Sequence, residues 1–77
     1  MRVLQLGKYA IYVYREVGGS HHLPHCHVRW PGGSVVVALP TLEEIAGGQL
    51  PRDARKLVPD HLEEICEAWD QLNQQLK

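Results

Sequence analysis

Apolar and polar positions follow a two-residue period through the first half of this chain and a helical period after residue 50. Residues 9–16 (YAIYVYRE) are dense in aromatic and β-branched side chains and predict the clearest strand. Residues 2–6 predict a shorter one before it. Gly18-Gly19-Ser20 breaks the pattern, because adjacent glycines take positive φ at little cost. A His-rich loop then runs to Pro24. From His25 to Trp30 the side chains alternate between faces: His25, His27 and Arg29 on one, Cys26, Val28 and Trp30 on the other. Pro31-Gly32-Gly33 makes a turn, and residues 34–39 return as a strand whose Val35, Val37 and Leu39 face the core.

Residues 41–46 admit two readings. Thr41-Leu42-Glu43-Glu44 matches a capping box that would open a short helix stopped by Gly47-Gly48. A turn at Pro40-Thr41 followed by a short strand through Ile45 fits equally well. Beyond it, Pro51 suits the first turn of a helix, where its missing N–H costs nothing. Ala54, Leu57, Val58, Leu62, Ile65, Cys66, Trp69, Leu72 and Leu76 then recur at three- and four-residue steps, with Glu63, Glu64, Glu67, Asp70 and Gln74 opposite. A stripe of this kind is core packing far more often than a partner site, so Cys66 and Trp69 are assigned to the core. Pro59 interrupts the stripe without shifting its phase, which predicts a kink or two helices breaking near Val58.

The expected architecture is α+β: a small antiparallel sheet of three to four strands, with the C-terminal helix, kinked or split near Pro59, packed on one face. The chain reads as a single domain over residues 1–77, mostly β over 1–48 and helical over 51–77. One helical layer covers one side of a sheet. Aligning the strands leaves Tyr12, Tyr14, His25, His27 and Arg29 on the other side, and these five are the candidate binding residues.

Composition narrows the classes. At 77 residues, 44% hydrophobic and 22% charged, the chain fits one folded domain and argues against disorder. Its longest apolar run, residues 35–39, is too short to span a bilayer, so no membrane association is expected. Arg2 leads into a strand pattern rather than a signal peptide. Cys26 and Cys66 do not form a secreted disulfide framework, so we expect reduced thiols and a cytoplasmic location. Net charge is −1, but it is uneven. Residues 1–40 carry Arg2, Lys8, Arg15 and Arg29 against Glu16 alone, together with four of the five histidines, whereas eight acidic side chains face four basic ones in residues 41–77. Such a front half could meet an anion such as RNA, although two ordinary solvated surfaces explain the same charges.

Three chemistries are compatible with the histidines. His25 and His27, two apart on a strand, point the same way and could share a metal ion with His21 from the loop, but no cysteine pair or carboxylate accompanies them. No metal or other cofactor is therefore favoured. Metal-independent RNA cleavage needs a base, an acid and a cation; His25 and His27 could serve as the first two and Arg29 as the third, with Tyr12 or Tyr14 stacking a base. A non-catalytic docking surface needs only what tyrosine, histidine and arginine already provide, and this reading outweighs the enzymatic one. Cys26 lies between the two histidines in sequence, but alternation turns it into the core.

The pattern also resembles a known family. The strand opening Leu6-Gly7-Lys8-Tyr9, the Pro24-His25-Cys26-His27-Val28 motif, the valine strand, Leu50-Pro51 and the helix reaching Glu67-Ala68-Trp69 are similar to the small bacterial domain-of-unknown-function family 4160. That resemblance implies an apolar residue between the two histidines, as Cys26 is, and a hairpin rather than a helix before Leu50. Pro59 departs from the pattern. It also implies a gene placed beside another short gene, in pairs that look like toxin–antitoxin or regulatory modules. The expected partner is a small protein encoded by that neighbour, with RNA a second candidate and self-association a third. No catalytic residue transfers. A shorter likeness, Gly19-Ser20-His21-His22 followed by Pro31-Gly32-Gly33, is similar to HicA-type mRNA-cleaving toxins. It would make His21 or His22 the reactive residue of a small ribonuclease, although such toxins normally begin with a helix.

Overall fold

Half of the strand boundaries fall at glycine or proline. The computed structural model describes residues 1–15 and 23–73. Glu16, the Gly18-Gly19-Ser20 break, His21, His22 and Leu76 therefore lie outside the described residues. Among the described residues five strands come in chain order: β1 (Arg2–Leu6), β2 (Tyr9–Tyr12), β3 (His25–Trp30), β4 (Gly33–Ala38) and β5 (Glu44–Ala46). A 3-10 turn (Arg52–Ala54) and two helices, α1 (Leu57–Asp60) and α2 (Leu62–Asn73), follow. The strands form one antiparallel meander in the order β1-β2-β3-β4-β5. The fold is thus α+β, with five strands where three to four were expected.

Gly7-Lys8 joins β1 to β2, with Leu6 opposite Tyr9 and Gly7 at φ 59. A positive φ at the first of two turn positions is what a type II′ hairpin asks for, and glycine supplies it without strain. β2 is shorter than the expected residues 9–16. Its register with β3 ends at Tyr12 opposite His27. Val13 beyond it bonds to the start of the chain: its N–H donates to the Met1 carbonyl at 2.9 Å, and the Met1 ammonium donates to the Val13 carbonyl at 2.7 Å.

The fifth strand resolves the ambiguity at residues 41–46 in favour of the hairpin. Leu42 N–H donates to Ala38 O at 2.8 Å and Ala38 N–H to Glu43 O at 2.7 Å, closing the turn. Glu44 makes no capping box; its carboxylate accepts from Leu50 N–H at 3.1 Å. The helical segment is split as anticipated, but the break falls at His61 rather than Val58. Pro59 is the third residue of α1, inside the first turn, so no helical hydrogen bond is lost to it. His61 leaves helical geometry (φ −122°, ψ 25°) and its N–H donates to Val58 O at 3.1 Å.

One core unites the two layers. Ile11, Val13, Cys26, Val28, Val35, Val37 and Leu39 from the sheet pack with Ala54, Val58, Ile65 and Trp69 from the helical segment. Among the described residues no side-chain nitrogen or oxygen is buried without a partner. No helix among them is long and apolar enough to cross a membrane.

Candidate functional site

Strand register decides which side chains share the uncovered face. Ala10 pairs with Arg29 and Tyr12 with His27 across β2 and β3. On the other side of β3, Ser34 faces Arg29, Val36 faces His27 and Ala38 faces His25. Their neighbours Cys26 and Val28 point the other way, into the core. Ala10 and Ala38 are small and buried on this uncovered face. Short side chains there let the larger ones lie down across the sheet.

The five candidate residues form one chain of ring contacts. The Arg29 guanidinium lies over the Tyr12 ring at 5.1 Å and the Tyr14 ring at 5.8 Å. Tyr12 and Tyr14 are nearly parallel, with centroids 6.1 Å apart. Tyr14 meets His27 edge-on at 4.9 Å, and His27 meets His25 at 5.3 Å. These are favourable aromatic and cation–π geometries. The rings are half-buried against one another, and Arg29 is exposed. Arg2 joins the same face from β1: its Nη1 donates to Gln5 Oε1 at 3.1 Å, and Gln5 pairs with Ala10.

The chain of contacts continues beyond the sheet. The His25 ring lies 5.1 Å from that of Trp69 on α2. Trp69 was assigned to the core and is buried there, yet it also reaches the end of the sheet where β3 begins. His25 is therefore backed by the helical layer rather than surrounded by water. Trp69 and Pro24, Leu39, Pro40, Cys66 and Asp70 line a cleft of about 200 Å³ at this end. Periodicity could assign Trp69 a helix face, but not a second neighbour more than forty residues away in sequence.

The imidazole chemistry is partly defined. His25 Nδ1 lies 2.8 Å from the Leu23 carbonyl oxygen, which can only accept, so Nδ1 carries the hydrogen. In the neutral ring Nε2 is then the basic nitrogen. Adjacent His25 and His27 suit either paired acid and base or two metal ligands. Among the described residues no group of three histidine, cysteine or carboxylate side chains is placed to hold a metal ion. The third candidate ligand, His21, and the candidate His22 lie outside the described residues.

The thiol between the histidines is not part of this surface. Cys26 is fully buried, and burial pushes its pKa up to about 12, with the nearby Cys66 thiol adding to the effect. Cys66 is raised as well, by burial and then by Asp70. On the covered side, Tyr9 OH donates to Asp53 Oδ1 at 2.7 Å, tying β2 to the 3-10 turn. That bond, partial burial and the Asp53 charge all raise the Tyr9 pKa.

The profile for the family described as Domain of unknown function (DUF4160) matches residues 9–70. That span contains β2 to β5, α1, most of α2 and every candidate ring described above. No curated protein and no solved structure matches the chain. With far more than half of its length matched, from Tyr9 through the Pro24-His25-Cys26-His27-Val28 motif to Asp70, this chain belongs to the DUF4160 family.

Proposed function

We propose that this protein is the binding module of a two-gene, toxin–antitoxin-like system acting in the cytoplasm. Its open sheet face docks the small protein encoded by the neighbouring gene. One observation carries the reading: Arg29, Tyr12, Tyr14, His27 and His25 form an unbroken contact chain on the face the helices leave uncovered. Tyrosine and arginine dominate binding energy at protein interfaces, because they bury large rigid surfaces with few rotatable bonds. Rings already packed against one another lose little further freedom on docking. The test is co-expression with the adjacent reading frame, followed by size-exclusion chromatography with light scattering. A stable heterocomplex is expected, weakened at least tenfold by Tyr12→Ala or Arg29→Ala. A chain that stays alone in the presence of that product overturns the proposal.

The side-by-side imidazoles of His25 and His27 favour a second reading, a small metal-independent endoribonuclease with histidine as acid and base. Induction would then arrest growth and deplete transcripts. His25→Ala, His27→Ala or His22→Ala would abolish the effect; arrest that survives all three rules out histidine catalysis.

A further inference from the structure

We infer that the open sheet face binds single-stranded RNA, with bases laid on Tyr12, Tyr14 and His27 and phosphates against Arg29 and Arg2, in competition with the protein partner. The competition rests on the docking reading above; the RNA assignment does not.

The first support is charge. The open face of β1 to β4 presents the guanidinium groups of Arg2 and Arg29 and, among its described positions, no aspartate or glutamate. The exposed carboxylates of Glu63, Glu64, Glu67 and Asp70 all sit on α2, in the layer behind the sheet. A polyanion is thus drawn to one side of the molecule and repelled from the other. The exposed surface of α2 is acidic and unfit to enter a duplex groove, and the rings of the sheet face can stack only on unpaired bases, so the ligand is a single strand. In cells, unpaired strands are chiefly RNA.

Shape is the second support. Aromatic side chains on an antiparallel sheet stack unpaired bases, and histidine and tyrosine both provide a ring face. Tyr12 and Tyr14 share one orientation at 6.1 Å and His27 stands edge-on to Tyr14 at 4.9 Å, so ring surfaces for neighbouring bases are grouped in one patch. Arg29 is held over two tyrosine rings, which fixes a guanidinium within the same patch as the rings. A guanidinium presents planar paired donors to a phosphate from such a position.

Fluorescence anisotropy with a labelled oligouridine of about 12 nucleotides tests this, because stacking platforms tolerate any base. Binding that weakens steeply as salt rises is expected, with roughly tenfold loss for Arg29→Gln and for Tyr14→Leu. Glu64→Gln, on the opposite layer, should leave affinity unchanged or slightly improved. Circular dichroism and thermal melting should show that Arg29→Gln, at an exposed position, folds as the parent does. Adding the purified neighbour product should displace the RNA. No RNA binding while the heterocomplex forms overturns this inference and leaves the docking reading standing. Binding that ignores both sheet-face variants also overturns it. RNA and partner bound together without displacement refutes the shared surface. RNA binding without any heterocomplex upholds the RNA assignment and refutes the docking reading.

Discussion

The His25 ring on the first residue of β3 packs 5.1 Å from the indole of Trp69 on α2, joining the open sheet face to the helical layer. Trp69 is 6% exposed and lies in the core beside Ile65 and Cys26. Trp69→Ala should therefore cost about 3 to 5 kcal/mol in urea unfolding. Trp69→Phe, which keeps a ring, should cost clearly less. Equal loss for both would mean that the indole does not fill the junction.

The Tyr9–Asp53 hydrogen bond ties the sheet to the 3-10 turn. Tyr9→Phe should lower stability near neutral pH by no more than a single hydrogen bond contributes. The same contact predicts a pH effect. The folded chain holds the phenolic proton more tightly than the unfolded one, whose pKa is near 10.0. Stability from this group is complete below that value and is lost as pH climbs through the raised native pKa. Denaturant midpoints measured from neutral to strongly alkaline pH should fall less steeply in Tyr9→Phe than in the parent.

Thiol reactivity should separate the two cysteines. Cys26 is fully buried with a pKa near 12, so almost no thiolate exists at neutral pH. Cys66 is raised too, but it is partly exposed at the Trp69 cleft. Iodoacetamide on the native protein should modify Cys66 first, more slowly than a free thiol, and reach Cys26 only in denaturant. Peptide mapping of timed samples checks the order.

Gly47 sits at φ 89°, where a Cβ would collide with the Ser34 carbonyl oxygen and approach Val35 Cα to 3.1 Å. Both neighbours are backbone of β4, which has no freedom to withdraw. Gly47→Ala should destabilise by more than about 1 kcal/mol, whereas a substitution at Gly7, which has open space but φ 59°, is opposed by conformation alone. Thermal melts of the two alanine variants test the ranking.

Several features were legible one segment at a time. The alternation of residues 25–30 placed Cys26 and Val28 inward and His25, His27 and Arg29 together, because strand side chains must change face at each step. The stripe from Ala54 to Leu72 identified the packed side of the helices for the same geometric reason. Strand β5 was harder to read, since Glu44, Ile45 and Ala46 show no period and all three are exposed. What holds them is the ladder to β4 and the turn bonds of Ala38 and Leu42. The capping-box letters at Thr41 and Glu44 competed with that hairpin and lost to it.

Local periods of two and 3.6 are enough to set the class of fold, the division into a β half and a helical half, and which residues share each face. Where the faces end depends on long-range packing. The Arg29–Tyr12–Tyr14–His27–His25 chain closes onto Trp69 because two segments far apart in sequence meet at one end of the sheet, and no local period encodes that meeting.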